Sequence, residues 1–250
     1  MSIWGKIIGG AAGFALGGPI GALLGAVAGH AVDTLHEQVQ ARQDSTTRSI
    51  AFTIALIALS AKMAKADGTV SRKEIEAFRD KVDIPPGEMA SVGRIWDLAR
   101  QTTDGFESYA RQLASLFPAG GPVLEQLLAM LFHIARVDGT ITSAEQAYLE
   151  RVAELLGFDA AAFDRLQHLY GDPESSPYTV LGVEAGIPDR ELRKAWLGLV
   201  RNYHPDKLMA EGLPEEFIRS ASEKIATINA AYDQIMTLRM ASRPTSGEAG

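Results

Sequence analysis

Apolar residues recur at helical spacing through most of the chain, and no alternating run is long enough to predict a strand. The pattern therefore predicts an all-α protein. We expect a transmembrane anchor at 1–32, a linker at 33–48, a helical domain at 49–170, a second linker at 171–176, a helical hairpin module at 177–239 and a disordered tail at 240–250.

The N-terminal stretch has no ionisable side chain between Ile7 and Ala28, and roughly 20 such residues suffice for a helix to cross a bilayer core. Glycine recurs there at every fourth position, from Gly5 to Gly29. A small-residue stripe of this kind favours close packing of membrane helices. We expect a glycine-patterned transmembrane helix whose stripe offers a surface for a homodimer: Gly9, Gly13, Gly17, Gly21 and Gly25.

Two other interpretations of this stretch stay open. Gly17-Gly18-Pro19 could break it into a re-entrant hairpin, because neither half is long enough to span. A cleaved signal peptide could end near 26–28, although its apolar region would exceed the ~7 to 15 residues typical of one. Lys6 on one side against Arg42 and Arg48 on the other is a small charge bias that places the C-terminal bulk in the cytoplasm.

The middle region contains a repeat. The segment from Ala64 to Glu74 returns from Ala135 to Glu145, and each copy ends an apolar helix at Asp-Gly. A Ser/Thr-x-x-Glu capping box then opens the next helix. This tandem pattern resembles the TerB-like helical domain of the tellurite-resistance type, which implies a helical bundle over about half the chain.

The acidic residues of the repeat are weak candidates for a metal site: Asp67, Glu74, Asp138 and Glu145. An EF-hand would need acidic residues at alternating positions of a longer loop, and these are missing. Turn formation and helix capping explain the same residues, so we expect no metal. His133 lies on an apolar helix beside Phe132, which favours a core or interface histidine.

In the C-terminal module, a helix opening at Pro188-Asp189 carries an apolar stripe that includes Trp196 and ends at Tyr203. Its opposite face is basic and is continued by Lys207 beyond the helix: Arg190, Arg193, Lys194 and Arg201. Pro205 should end this helix and present His204 and Asp206 from a turn. A third helix from Pro214 should return antiparallel, clamp Trp196 against Tyr232 and leave His204-Pro205-Asp206 at the tip.

Four segments carry a specific resemblance: Tyr178-Thr-Val-Leu-Gly-Val183, Leu192-Arg-Lys-Ala-Trp196, Tyr203-His-Pro-Asp-Lys207 and Ile228-Asn-Ala-Ala-Tyr232. Together they resemble the J-domain of DnaJ-type cochaperones, and the whole chain resembles membrane-anchored cochaperones that add a TerB-like domain. The resemblance implies a DnaK-type chaperone as partner, at the bacterial inner membrane, with the C-terminal domains in the cytoplasm and a single pass through the lipid bilayer.

The resemblance also implies that His204, Pro205 and Asp206 form the signalling loop. The basic residues Arg190, Arg193, Lys194, Arg201 and Lys207 would form the docking face toward an acidic groove. Leu197, Gly198 and Asn202 depart from the more polar or basic residues common in this family, which puts affinity or partner choice in doubt.

Composition narrows the alternatives. The net charge of −7 argues against nucleic acid as a partner, and zero cysteines exclude thiolate chemistry. No nucleophile or acid–base pair accompanies His204, so we expect no enzyme and no cofactor. The alternative function is a glycine-zipper membrane scaffold or envelope-stress sensor whose J-domain is weak or silent.

Overall fold

The computed structural model describes residues 3, 7, 18–22, 40–66, 72–82, 84–101, 105–137, 139–171 and 176–241. Every element in these ranges is helical, which confirms the predicted all-α fold. Asp67, Asp138 and four of the stripe glycines, Gly9, Gly13, Gly17 and Gly25, lie outside the described residues. The predicted tail beyond Ala241 lies outside them too.

Seven helices form the first unit: α1 (Gln40–Ala66), α2 (Arg72–Lys81), α3 (Met89–Ala99), α4 (Phe106–Ala114), α5 (Pro122–Ala135), α6 (Ser143–Leu155) and α7 (Ala160–Gly171). A 3₁₀ turn at Pro86–Glu88 leads into α3. Prolines open both this turn and α5, where a missing backbone N–H costs no helical hydrogen bond.

Helix α1 is the centre of this unit, and it begins within the stretch predicted as a linker. It packs against α3, α4, α5 and α6, and its side chains from Ile50 to Ala64 are buried on every side. The segment Ser45–Lys65 is long and apolar enough to cross a membrane, but 83% of its most apolar window is buried inside the protein. We therefore assign it as a core helix, which is apolar all round because neighbours cover all of it.

The second unit contains α8 (Pro177–Leu181), α9 (Asp189–Asn202), α10 (Pro205–Glu211), a 3₁₀ turn (Glu215–Phe217) and α11 (Ile218–Ala241). Helices α9 and α11 pack together around Leu192, Ile228 and Ile235. The rings of Trp196 and Tyr232 stack with centroids 4.5 Å apart, and Trp196 Nε1 donates to Asn229 Oδ1 at 2.9 Å. The predicted clamp is confirmed.

The core of the first unit includes side chains of the C-terminal module, which the sequence pattern did not predict. Helix α10 begins within the His-Pro-Asp motif, at Pro205, and Leu208 on that helix is buried in the first core together with Leu213 and Phe217. Phe217 packs edge-on against Phe52 of α1 with centroids 5.1 Å apart. The C-terminal module is therefore docked on the first unit.

A few residues of the N-terminal stretch also contact this core. Ile3, Ile7 and Ile20 are buried, and the Ile20 N–H donates to Gln112 Oε1 at 2.9 Å. Gly18, which lies in the Gly17-Gly18-Pro19 segment where the re-entrant alternative would place a break, takes a φ of +58°, a left-handed value that glycine adopts at no steric cost. These residues cannot pack on the core and cross a bilayer at the same time. Core contact and membrane insertion are therefore alternative arrangements of one segment.

Gly212 provides a test of the docking between the units. Its φ is +111°, and an added Cβ would lie 2.7 Å from Arg48 Cβ on α1. Gly212→Ala should lower the free energy of unfolding by roughly 1–3 kcal/mol, because alanine is strained in this backbone region. Urea unfolding of the full-length protein in mild detergent, followed by circular dichroism, measures the change.

The matched control is Gly198→Ala on α9, where nothing lies within 4 Å of the added Cβ. This substitution should leave stability unchanged or raise it by up to about 1 kcal/mol, since alanine is the better helix former. Equal effects of the two substitutions would show that Gly212 carries no special constraint.

Candidate docking site

The His-Pro-Asp loop joins α9 to α10 through one proline. The Tyr203 N–H donates to Leu199 O at 2.9 Å and closes the last turn of α9. His204 leaves helical geometry with φ −59° and ψ 129°, as a residue before proline prefers, and becomes the N-cap of α10. Pro205 is the first residue of the new helix, where its missing N–H is tolerated. One residue thus ends one helix and starts the next.

The two polar side chains of the loop face solvent. The Asp206 N–H donates to His204 Nδ1 at 3.3 Å, and Asp206 Oδ2 lies 3.7 Å from the same nitrogen. An Nδ1 that accepts this bond leaves the proton of the neutral ring on Nε2, which is available to a partner. The side chains of His204 and Asp206 are 54% and 89% exposed. Such exposure suits contact with another protein.

The predicted basic face lies beside this loop. Arg190, Arg193, Lys194 and Arg201 are all exposed on one side of α9, and none forms an ion pair with a described residue. Lys207 is different, since its Nζ donates to Asn202 Oδ1 at 2.9 Å and lies 3.8 Å from Glu211. Asn202, one of the positions that depart from the family pattern, thus holds Lys207 across the loop.

Behind the loop, a buried carboxylate joins the two units. Glu125 on α5 accepts from the Tyr203 hydroxyl with Oε2 at 2.5 Å and from the Tyr170 hydroxyl with Oε1 at 2.9 Å. Lys224 Nζ on α11 lies 3.4 Å from Glu125 Oε1 and donates to the Tyr170 hydroxyl at 2.7 Å. Glu125 is 5% exposed, and Lys224 and Tyr203 are each 8% exposed. We call these four residues the interdomain network.

Burial shifts the pKa values of the tyrosines and of the lysine in this network in opposite directions. Burial raises the pKa of both tyrosines well above its usual value, and the neighbouring Glu125 carboxylate raises it further. Burial lowers the pKa of the Lys224 ammonium, and Glu125 opposes that shift. The hydroxyls therefore stay protonated and donate to the carboxylate throughout the physiological range.

A cleft of about 560 Å³ opens between the two units beside this network. Lys81 of α2 forms an ion pair with Glu223 of α11 across it at 2.7 Å. His133 lies half-buried in its wall, where burial and the Lys81 charge lower the pKa of the imidazole, so it is neutral near pH 7. The histidine thus lies at the boundary between the units.

Among the described residues, no group of three or more His, Asp or Glu side chains could hold a metal ion, but Asp67 and Asp138 lie outside that search. Glu145 is buried as the closing residue of a capping box: Thr142 N–H donates to its carboxylate at 2.8 Å, and Thr142 Oγ1 accepts from Glu145 N–H at 3.2 Å. The predicted box in this copy is confirmed. Glu74 lies on α2, but its side chain is outside the described residues.

Sequence reasoning missed Glu125 and the roles of Tyr170 and Lys224. A glutamate in the first turn of a helix is explained by the helix dipole alone, so Glu125 carries no visible signal. The apolar stripe of α9 and the Tyr203–Lys207 motif both include Tyr203, but neither gives a role to its hydroxyl. Its buried ring fits the stripe, but its hydroxyl reaches the other unit.

Comparison with protein families agrees with this architecture. The model of the Co-chaperone DjlA transmembrane domain matches residues 1–49, that of Tellurite resistance protein TerB matches 53–168, and that of the DnaJ domain matches 176–239. The helical hairpin with its exposed His-Pro-Asp loop, joined to a TerB-like bundle and a membrane segment, defines a membrane-anchored J-domain cochaperone.

Individual relatives extend the match to most of the chain. Co-chaperone protein DjlA of Photobacterium profundum is 28% identical over 93% of this chain and 98% of its own length, and that of Coxiella burnetii is 27% identical over 94% and 97%. The protein of the same name from Shewanella oneidensis is 31% identical over 73% of this chain and 76% of its own. No solved structure shows significant similarity. The chain belongs to the DjlA co-chaperone family.

The buried tyrosines predict a loss of stability in alkali. Burial raises the pKa of Tyr109, Tyr148, Tyr170 and Tyr203 above 10.0, so above that pH the unfolded chain releases protons that the folded chain retains. The contribution of these four hydroxyls to the free energy of unfolding should be constant well below pH 10 and fall as pH rises beyond it. The lowered pKa of Lys224 instead makes the free energy of unfolding rise with pH, but it is one group against four tyrosines.

An ultraviolet titration of tyrosinate checks this expectation. The folded protein should ionise later than the same protein in urea, with a steep step on alkaline unfolding. A curve that matches the urea-unfolded protein would show that the hydroxyls are accessible and that the interdomain network is open.

Proposed function

We propose that this protein stimulates ATP hydrolysis by a DnaK-type chaperone and recruits that chaperone to the bacterial inner membrane. The observation that carries the proposal is the exposed His204-Pro205-Asp206 loop lying beside the exposed basic side of α9. The membership in a J-domain cochaperone family supports it. The protein itself acts as a regulator, and the hydrolysis takes place in the partner.

The loop acts by binding one conformation of the chaperone better than another. His204 is exposed, and its Nδ1 accepts from the Asp206 N–H, which suits a contact residue better than a general base. A ligand shifts an equilibrium by its differential affinity for the two states. The contacts of His204 and Asp206 supply that difference, and the basic residues Arg190, Arg193, Lys194, Arg201 and Lys207 supply attraction to an acidic surface.

The membrane segment places this activity at the bilayer surface. We propose a single pass with the C-terminal units in the cytoplasm, where a cytosolic chaperone can reach the loop. The contacts of residues 3, 7 and 18–22 with the core are then exchanged for lipid. The glycine stripe at positions 9, 13, 17, 21 and 25 would serve a homodimer in the membrane.

His204→Gln should abolish stimulation of a DnaK-type ATPase, because glutamine does not reproduce the imidazole ring at the N-cap of α10. The expected stimulated rate is the basal rate of the chaperone, with at least a tenfold loss if the lost contact is worth about 1.4 kcal/mol or more in the transition state. Single-turnover ATP hydrolysis measures it, and circular dichroism checks that helicity is retained. Full stimulation by the folded variant would overturn the assigned role of the loop.

Arg193→Gln should raise the concentration of cochaperone that gives half-maximal stimulation by about three- to tenfold at low salt, since it removes one charge from the docking face. The difference from wild type should shrink as ionic strength rises, because salt screens exposed charges. Arg100→Gln on the first unit is the matched control: Arg100 is also exposed and bonds only Asp97, three residues before it. A loss of equal size in both variants would assign the effect to net charge.

A further inference from the structure

The His-Pro-Asp loop is held at both ends by the first unit. On one side, Tyr203 directly precedes His204, and its hydroxyl bonds Glu125 of α5. On the other side, Leu208 is fully buried in the first core, and the Gly212 carbonyl accepts from the Ser49 hydroxyl of α1 at 2.9 Å. The exposed residues of the loop therefore stand between two fixed points that belong to a different unit.

The tyrosine is the closer of these fixed points. Tyr203 is the C-cap of α9, where the chain has left regular helical geometry, with φ −99° and ψ 9°. Local hydrogen bonds alone restrain such a residue weakly, because helix ends fray. The bond from its hydroxyl to a buried carboxylate fixes the ring, and the ring fixes the backbone from which His204 projects.

The carboxylate is itself fixed from three sides. Tyr170 of α7 donates to Oε1, Lys224 of α11 lies 3.4 Å from the same oxygen, and α5 carries the backbone. Arg136 further pins α7, since its Nη1 donates to the Tyr170 carbonyl at 2.8 Å. A group held in this way in a buried site moves little, so it can transmit the position of the first unit to the loop.

We propose that Glu125 is a positioning residue for the His204-Pro205-Asp206 loop. Through Tyr203 it holds the loop in the orientation that the chaperone binds, and the TerB-like unit thereby serves as the rigid mount of the J-domain. This inference rests on the proposed function. It assigns a role in chaperone stimulation to a residue outside the J-domain.

The sharpest test compares two buried tyrosine hydroxyls, one inside the interdomain network and one outside it. Tyr203→Phe removes the hydroxyl that ties the loop to Glu125 and keeps the ring. Tyr148→Phe is the matched control: it removes a buried hydroxyl that donates to the Leu59 carbonyl at 2.9 Å within the first unit. The control measures what the loss of a buried hydroxyl does when the tie to the loop is left in place.

A positioning role and a purely structural role of Tyr203 predict different results. Freeing the loop could lower the fraction of cochaperone molecules in the binding orientation to between about one third and one tenth. The cochaperone concentration that gives half-maximal stimulation would then rise about three- to tenfold, with an unchanged maximal rate. We expect this result for Tyr203→Phe and a change of less than about twofold for Tyr148→Phe. The assay uses full-length protein in proteoliposomes, a DnaK-type ATPase, and a temperature at which circular dichroism shows both variants folded.

Equal shifts in the two variants would overturn the proposal, since they would assign the effect to the general loss of a buried hydroxyl bond. A lower half-maximal concentration for Tyr203→Phe would also overturn it, because the docking would then restrain the loop. Wild-type protein and His204→Gln in the same assay test the proposed function and the role of the loop separately. If wild type does not stimulate, the proposed function fails; if wild type stimulates, His204→Gln is inactive and Tyr203→Phe behaves as wild type, only the positioning role fails.

A second variant addresses Glu125 directly. Glu125→Gln leaves a buried ammonium without its counter-charge, so the test uses Glu125→Gln with Lys224→Met, which removes both charges at similar volume. Because the natural chain has zero cysteines, spin labels can be placed at Glu150→Cys on α6 and Gln234→Cys on α11, both of which are exposed. The distance between the labels should be narrowly distributed in the wild-type background and more broadly distributed in the double variant. An unchanged distribution would contradict the proposal that the network fixes the J-domain on the TerB-like unit.

Discussion

The ion pair between Glu125 and Lys224 is the constraint on which the arrangement of the units depends. Both groups are almost completely buried, and desolvation costs on the order of several kcal/mol per ion. The pair persists because both carboxylate oxygens and the ammonium have partners, two of them tyrosine hydroxyls. Such a network tolerates little displacement, since a shift of one unit would leave a buried charge unsatisfied.

Attraction and alignment come from different contacts in this interface. Separation of the units would rehydrate Glu125 and Lys224, so the pair adds little net attraction. The apolar contacts of Phe217 with Phe52, and the burial of Leu208 and Leu213, supply the attraction instead. The charged network then selects one register among the many that apolar surfaces alone would accept. A J-domain that presents a directional signal benefits from such a fixed register.

The sequence predicted what depends on local signals. Helical periodicity, the prolines and the capping box at Thr142–Glu145 specify elements through residues near in the chain, and the Trp196–Tyr232 stack follows from two apolar stripes on adjacent helices. The docking of the units depends on pairs such as Tyr203 with Glu125, which are 78 positions apart. A glutamate that fits a helix dipole and a tyrosine that fits an apolar stripe give no sign that they meet. Leu208 was hidden for a related reason: it follows a predicted loop, so its burial depended on a helix and a neighbour that the pattern did not show.

The link from membrane to loop follows from the position of α1. This helix begins at Gln40, within the residues matched by the family's transmembrane domain, and ends in the centre of the TerB-like core. Its Phe52 packs on Phe217, which opens the helix that carries Lys224, and Lys224 joins the network that holds Tyr203. Each step in this series is a packed or buried contact between helices. A flexible linker would let a J-domain search a volume, whereas this series gives it one orientation relative to α1. The direction in which the His-Pro-Asp loop faces is therefore fixed relative to α1, the helix that begins inside the segment matched by the transmembrane-domain model.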